Sequence, residues 1–319
     1  MSAGSTLPKT MTAAVIDAAG PATALQIRSV PTPQPIPGHV IIAVEYASIG
    51  PWDVEQRAGT FGTITQGTIL GADGSGTIAA VGMDVEDVKV GDRVYSYSYG
   101  NPNGGFNAEY VSVPSDRVAL VPPHLDMVVA GAMPCVALTA LSGLETLKVK
   151  SGQTLFVFGA SGGVGSFAVW LAKEQGATVI GTARSDSQGY VGDLGAAYAF
   201  DPNSPEREAV IRQIAPNGFD AALITTSSDT LADILRHLKT GASLAYPNGV
   251  EPTPVIEGHS NLAYDGEMSR QVMERLSAAI GSQNIPLKTE VFPLHDIVEA
   301  HERFERGHVV GKLVLRIKS

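Results

Sequence analysis

Phe156-Val157-Phe158-Gly159-Ala160-Ser161-Gly162-Gly163-Val164-Gly165 decides the fold. It sets a glycine turn directly after the short apolar run Thr154–Phe158 and before an amphipathic stretch, Gly163–Gln175. At such a junction the first small residue makes a tight turn. The second lets backbone approach a pyrophosphate, and the third lets helix and strand pack closely. Here those positions are Ala160, Gly162 and Gly165, with Gly163 added. Free N–H groups at the helix start, from Ser161 to Val164, would face the anion. A bare glycine pattern of this kind also arises as a structural turn with no ligand, so its surroundings carry the argument.

Those surroundings alternate. A second strand, Thr178–Thr182, precedes a helix near Gly189–Leu194. The strand Ala222–Ile224, the helix Thr230–Leu238 and the strand Ala242–Ala245 follow. Strands and helices in this rhythm predict a parallel, doubly wound sheet that binds a dinucleotide at Gly159–Gly165. The end of the second strand selects between dinucleotides. A carboxylate there would hold a ribose 2′-hydroxyl. This strand instead runs through Thr182 and Ala183 into Arg184 and Ser185. A guanidinium beside a hydroxyl suits a 2′-phosphate, so NADP is the expected cofactor. Asp186 is the competing signal, and a solvated loop cation is the bland reading of Arg184.

The chain has a different texture before Pro123. Short strands are punctuated by glycine and proline: Met11–Asp17, Leu25–Val30, Val40–Ile49, Gly76–Val81, Arg93–Tyr97 and Tyr110–Val113. Only Trp52–Ala58 reads as helical there, and the density of turns predicts a small β-barrel domain. A long amphipathic helix is expected over Gly266–Ile280 and a final strand over Lys312–Ile317. With 44% hydrophobic residues in 319 the chain can bury a sizeable core. Its 32 acids against 22 bases oppose nucleic-acid binding as a main activity. One cysteine, Cys135, excludes a disulfide framework and any site built from several thiolates. Met127–Leu144 carries no charge, but its proline, glycine and hydroxyl residues suit a buried helix rather than a membrane span. A cytoplasmic protein is expected.

In order and spacing, several further motifs accompany the turn. They are Ala47-Ser48-Ile49-Gly50-Pro51-Trp52-Asp53, Ile69-Leu70-Gly71-Ala72-Asp73-Gly74-Ser75-Gly76, Val90-Gly91-Asp92-Arg93-Val94, Ala108-Glu109-Tyr110-Val111, Leu138-Thr139-Ala140 and Gly311-Lys312-Leu313-Val314-Leu315. With them the chain resembles the zinc-free quinone oxidoreductase branch of the medium-chain dehydrogenases/reductases over nearly its whole length. The resemblance implies a GroES-like β-barrel catalytic domain over residues 1–124 and a Rossmann domain over 125–262. Residues 263–319 would complete the Rossmann domain and return to the first. It also implies a homodimer joined through the Rossmann sheet edge. Positions that hold catalytic zinc in related alcohol dehydrogenases look like Gly50 and Ala72-Asp73 here, with only Cys135 matching. One thiolate cannot hold a catalytic zinc, and Cys135 reads as a small buried residue. Many family members carry Asn where this chain has Gly50. Phe61 stands in a loop where the enoyl-thioester reductases carry a tyrosine donor.

By that resemblance Thr139 should lie near the nicotinamide, with Thr225, Thr226 and Ser227 beside its ribose. Tyr46, Trp52 and Phe61 would wall the substrate above the floor at Gly50. The expected reaction is hydride transfer from NADPH to a quinone or α,β-unsaturated carbonyl, small electrophiles that need little acid help; the protein would contribute orientation and electrostatics. Two alternatives remain open: a carrier-linked enoyl reductase of secondary metabolism and a non-catalytic NADPH-binding protein. Tyr95, Tyr97 and Tyr99 alternate along one strand and read as a half-buried face or as cleft residues. His259 would border the cofactor or a dimer edge. His301-Glu302-Arg303-Phe304-Glu305 reads as a solvated helix face.

Overall fold

The computed structural model describes residues 7–318. The chain divides into two compact units. The first is Met1–Cys135 with Met268–Asn284 and Lys288–Ser319, and the second is Val136–Glu267 with Ile285–Leu287.

The first unit opens with β1 (Thr10–Ile16), β2 (Gln26–Pro31), β3 (His39–Ile49), β4 (Thr68–Ile69), β5 (Asp73–Val81), β6 (Arg93–Tyr97), β7 (Tyr110–Pro114) and β8 (Val118–Leu120). β2, β1 and β4 form one antiparallel sheet. In a second sheet β3 pairs with both β5 and β7, and β5 leads on to β6 and β8. β5 begins at Asp73, three residues before the expected Gly76. Gly74 and Gly76 are both strand residues where another backbone comes close. A Cβ on Gly74 would stand 2.6 Å from Tyr46 O, and one on Gly76 would meet the Ala43 carbonyl. The core gathers Ile42, Val44, Ile49, Val94 and Phe106.

Between β3 and β4 lies α1 (Pro51–Ala58), with Pro51 in its first turn and Gly59 closing it at φ +80°. The uncharged stretch after β8 is two helices, α2 (Met127–Ala132) and α3 (Pro134–Leu147). Pro134 has no N–H to continue α2. No helix among the described residues is long and apolar enough to cross a membrane.

The second unit is a parallel sheet of β9 (Thr154–Phe158), β10 (Thr178–Thr182), β11 (Tyr198–Phe200), β12 (Phe219–Ile224), β13 (Leu238–Pro247) and β14 (Ser260–Tyr264), in the order β11-β10-β9-β12-β13-β14. The connecting helices are α4 (Gly163–Glu174), α5 (Gln188–Asp193), α6 (Arg207–Ile214) and α7 (Leu231–Leu235). Phe156, Phe158, Phe200 and Phe219 fill one face of this sheet, with Phe156 stacked on Phe219 at 4.7 Å. The strands β11 and β14, which periodicity left unassigned, are the short edges of this sheet.

The chain then returns to the first unit. α8 (Arg270–Ile280) starts at Arg270 rather than Gly266, because Ser269 accepts the Val272 N–H as its cap. β15 (Thr289–Pro293) pairs parallel with β16 (Lys312–Arg316), which lies antiparallel on β3. Between them α9 (Ile297–Glu305) turns Ile297, Ala300 and His301 inward. The solvated reading of this helix is therefore corrected at His301, which is fully buried with neither ring nitrogen partnered among the described residues. Burial and the nearby Arg57 charge push its pKa down to about 3.

That depression has a pH consequence. Below about 6.5 an unfolded histidine takes up a proton that the folded one refuses. Each pH unit down to about 3 then lowers stability by up to about 1.4 kcal/mol. Asp53, raised to about 6, runs the opposite way between about 6 and 3.8. His301→Leu should therefore match the parent at pH 8 and exceed it increasingly from pH 6 to pH 4 in urea melts. Parallel stability curves would contradict this.

Candidate active site

In the second unit the glycine turn is built by contacts that only small residues allow. Gly159 adopts φ +83°, and a Cβ there would press on Thr225 Oγ1 at 2.5 Å and Thr226 Cγ2 at 2.8 Å. A Cβ on Gly165 would run into the Gly159 carbonyl oxygen and approach Ala160 Cα at 2.8 Å. Ala160, standing for the usual glycine, is accommodated because Gly181 opposite has no side chain; a Cβ there would come within 2.6 Å of the Ala160 methyl. Thr182 Oγ1 accepts the Gly159 N–H at 2.9 Å, and Thr182 O accepts the Ala160 N–H. Thr225 Oγ1 donates to Phe158 O at 2.8 Å. The structure thus brings Gly159–Gly165, Thr182, Thr225 and Thr226 together.

Gly162 caps α4 without a side chain, so the first-turn N–H groups lack intrahelical acceptors. This cradle fits a dinucleotide pyrophosphate. At the end of β10, Ala183 is buried, while Arg184 and Ser185 are exposed. Asp186 accepts a hydrogen bond from Ser187 Oγ at 2.7 Å. Thr139, on α3, is packed against Gly266, whose Cβ would lie 2.9 Å from Thr139 Oγ1. His259 Nδ1 lies 3.1 Å from Glu257 O, just before β14.

In the first unit, Trp52 and Phe61 meet at 5.0 Å between ring centroids. Tyr99 joins them at 6.0 and 5.9 Å. Tyr46 stands apart on β3, opposite Ser75 and Arg316 in the sheet register. The three alternating tyrosines have three different environments. Tyr95 is buried and donates to Met273 O at 2.7 Å, Tyr97 contacts Cys135, and Tyr99 lies beyond the end of β6 with Trp52 and Phe61. Burial raises the pKa of each.

A buried charge cluster lies under Gly50. Asp53 accepts the N–H groups of Gly50 at 2.9 Å and Gly71 at 3.1 Å. Asp73 accepts the Ser48 hydroxyl and, at 2.8 Å, the Cys135 N–H. Lys312, 5% exposed, donates to Ile49 O at 3.0 Å. The register of β16 on β3 pairs Leu313 with Ile49, which sets Lys312 beside Gly50. A Cβ on Gly50 would lie 3.8 Å from both Lys312 Nζ and Asp53 Oδ2. Burial pushes the Asp53 carboxyl up to about 6, and Asp73 adds to the rise while Lys312 opposes it. Burial raises Asp73 too, against the pull of Lys312 and Ser48. In the sequence Asp53 and Lys312 are family marks without a role, Asp73 and Cys135 fall at positions of the lost zinc site, and no local pattern joins the four.

This cluster does not fit catalytic zinc. Gly50 and Ala72 offer no donor atom, and the Asp73 oxygens are engaged. The half-buried Cys135 has a thiol pushed up to about 12, chiefly by burial, whereas a metal needs the thiolate. The Lys312 ammonium already provides the local cation. Among the described residues no group of three or more His, Cys, Asp or Glu side chains is placed to hold a metal.

Residues 36–123 match the alcohol dehydrogenase GroES-like domain, and residues 163–255 match the zinc-binding dehydrogenase family. A probable quinone oxidoreductase of Schizosaccharomyces pombe is 29% identical, over 93% of this chain and 94% of its own. The 2-methylene-furan-3-one reductase of Solanum lycopersicum is 30% identical, over 86% of this chain and 71% of its own. The chain belongs to the quinone oxidoreductase branch of the medium-chain dehydrogenases/reductases. The solved quinone oxidoreductase of Coxiella burnetii superimposes with a TM-score of 0.84 at 28% identity, covering 97% of this chain and all of that one. The fold is thus a GroES-like domain with a Rossmann-like parallel-sheet domain, and the protein is an oxidoreductase using a nicotinamide cofactor.

Proposed function

We propose that the protein transfers hydride from NADPH to a quinone or an α,β-unsaturated carbonyl without zinc. The observation that carries this reading is the cluster under Gly50, where Gly50 and Ala72 bring no donor atom, burial holds the Cys135 thiol well above its usual range and Lys312 lies beside Gly50. A site without a Lewis acid suits substrates that are already electrophilic, whose reduced form takes its proton from water. Bound NADPH supplies the hydride. The N–H groups of the Gly159–Gly165 turn hold its pyrophosphate, Thr139, Thr225 and Thr226 border its nicotinamide side, and Arg184 with Ser185 binds the 2′-phosphate. Trp52, Phe61 and Tyr99 supply an aromatic wall and Gly50 an open floor. The same reading takes the protein as a cytoplasmic homodimer, joined through the edge strand β14.

Loss of NADPH absorbance with 1,4-benzoquinone and with a simple enal tests the activity; no turnover across a broad panel of both classes would refute it. The cofactor choice is tested separately. Arg184→Glu removes a charge-assisted contact of about 1.5–3 kcal/mol and should lower kcat/KM for NADPH about 10- to 100-fold, with NADH changed far less. An equal loss with both cofactors would refute the assignment of Arg184.

A further inference from the structure

The chain holds three Asn-Gly pairs, Asn103-Gly104, Asn217-Gly218 and Asn248-Gly249. Such a pair is chemically reactive, because glycine has no side chain to keep its backbone nitrogen away from the asparagine amide carbon. The fold treats the three differently. The Gly104 N–H donates to Asn101 O at 3.3 Å, and Asn101 Nδ2 donates back to Gly104 O at 2.8 Å. The Gly218 N–H donates to Ala215 O at 2.9 Å, and a Cβ on Gly218 would press on the His237 carbonyl oxygen. In both pairs the attacking nitrogen is tied down.

Asn248-Gly249 is not held in this way. Both residues are exposed, and among the described residues neither the Gly249 N–H nor the Asn248 side-chain amide has a hydrogen-bond partner. They are the central residues of a turn closed by the Val250 N–H on Pro247 O at 3.3 Å, with Gly249 at φ +94°. The turn follows the carboxyl end of β13, the side of a parallel sheet on which ligands sit. β12 runs beside β13 with Leu223 opposite Ala245. Carried onward, that register brings Thr225 level with Pro247 and Thr226 level with Asn248, one strand spacing away. Thr225 and Thr226 are the residues packed against Gly159 of the glycine turn.

We propose that Asn248 is a deamidation site whose product sets a carboxylate beside the cofactor turn. The Gly249 nitrogen bonds to Asn248 Cγ, the bond from Cγ to the side-chain nitrogen breaks, and ammonia leaves with the Gly249 proton. Water then opens the cyclic imide at either carbonyl, giving aspartate or isoaspartate. Nothing is oxidised or reduced. Either product adds a negative charge, and isoaspartate also lengthens the backbone of the turn. A negative charge at this strand end opposes a pyrophosphate. The loss of cofactor affinity rests on the NADPH reading above; the modification itself does not.

Peptide mass mapping of the full chain, aged in mildly alkaline buffer, tests the site. The mass increment of amide to acid should accumulate at Asn248 about three- to tenfold faster than at Asn217 or Asn103, the equivalent of one hydrogen bond that must open first. Labelling with an isoaspartyl methyltransferase should mark the same peptide. NADPH affinity, followed by calorimetric titration over the same period, should fall about three- to tenfold as the acid accumulates, and less at high salt. Asn248→Asp should show the weaker binding when fresh. Asn248→Gln keeps an amide whose larger ring closes far more slowly, and it should hold its starting affinity. Equal or faster accumulation at Asn217 or Asn103, or none at Asn248, would overturn the site. Acid at Asn248 with unchanged NADPH affinity would keep the modification and overturn its effect. Fresh protein without NADPH affinity would overturn the cofactor reading, and the effect with it, and leave the modification standing.

Discussion

Lys312→Met should lower stability by about 3–5 kcal/mol, because removing one partner of a buried ionic group leaves the other charges uncompensated. Lys312 is 5% exposed and is the cation that opposes the raised pKa values of Asp53 and Asp73. Without it both carboxyls face desolvation with only hydrogen bonds to hold them ionised. The double variant Lys312→Met with Asp73→Asn removes one of those carboxylates and should recover about 1–2 kcal/mol, a coupling that a mutant cycle measures. Urea unfolding of Lys312→Met, Asp73→Asn and the double variant decides the matter. A single variant within about 1 kcal/mol of the parent would show that Lys312 does not balance the cluster.

Gly165→Ala should abolish tight NADPH binding, by about 100-fold or more, and destabilise the fold by about 1–3 kcal/mol through overpacking. The new methyl would be driven into the Gly159 carbonyl oxygen, so α4 must move off β9 and the turn between them must open. Gly162→Ala provides the contrast. Gly162 has φ −80°, and its Cβ would lie 3.6 Å from Gly159 O, an ordinary contact. This variant should melt with the parent yet bind NADPH more weakly, since the methyl stands where the pyrophosphate approaches. Calorimetric titration with NADPH alongside thermal melts separates the two effects. Unimpaired binding by Gly165→Ala would refute the turn as the cofactor site.

The glycine turn was legible because its physics is local. A strand, a turn at positive φ and a helix start lie within one short stretch, and each residue type follows from the backbone it must adopt. The alternating second unit was readable for the same reason, except at its thin edges and at α6. The charge cluster was not. Asp53, Asp73 and Lys312 lie on α1, β5 and β16, and nothing near Lys312 in the chain indicates that it will be buried. His301 misled in the same way. Its charged neighbours suggest a wet helix, but Ile297, Ala300 and His301 share the face that packs inward. The aromatic cluster was half visible: Tyr46, Trp52 and Phe61 were expected together, whereas Tyr46 stands apart and Tyr99, beyond the end of β6, joins the other two.

Period, turn chemistry and motif order were enough to establish the two-part α/β architecture and the glycine turn between β9 and α4, because those depend on neighbours a few residues apart. Which charges are buried and what balances them depended on how β16 registers against β3 and how β5 closes on it. That pairing joins distant parts of the chain, and only the folded structure decides it.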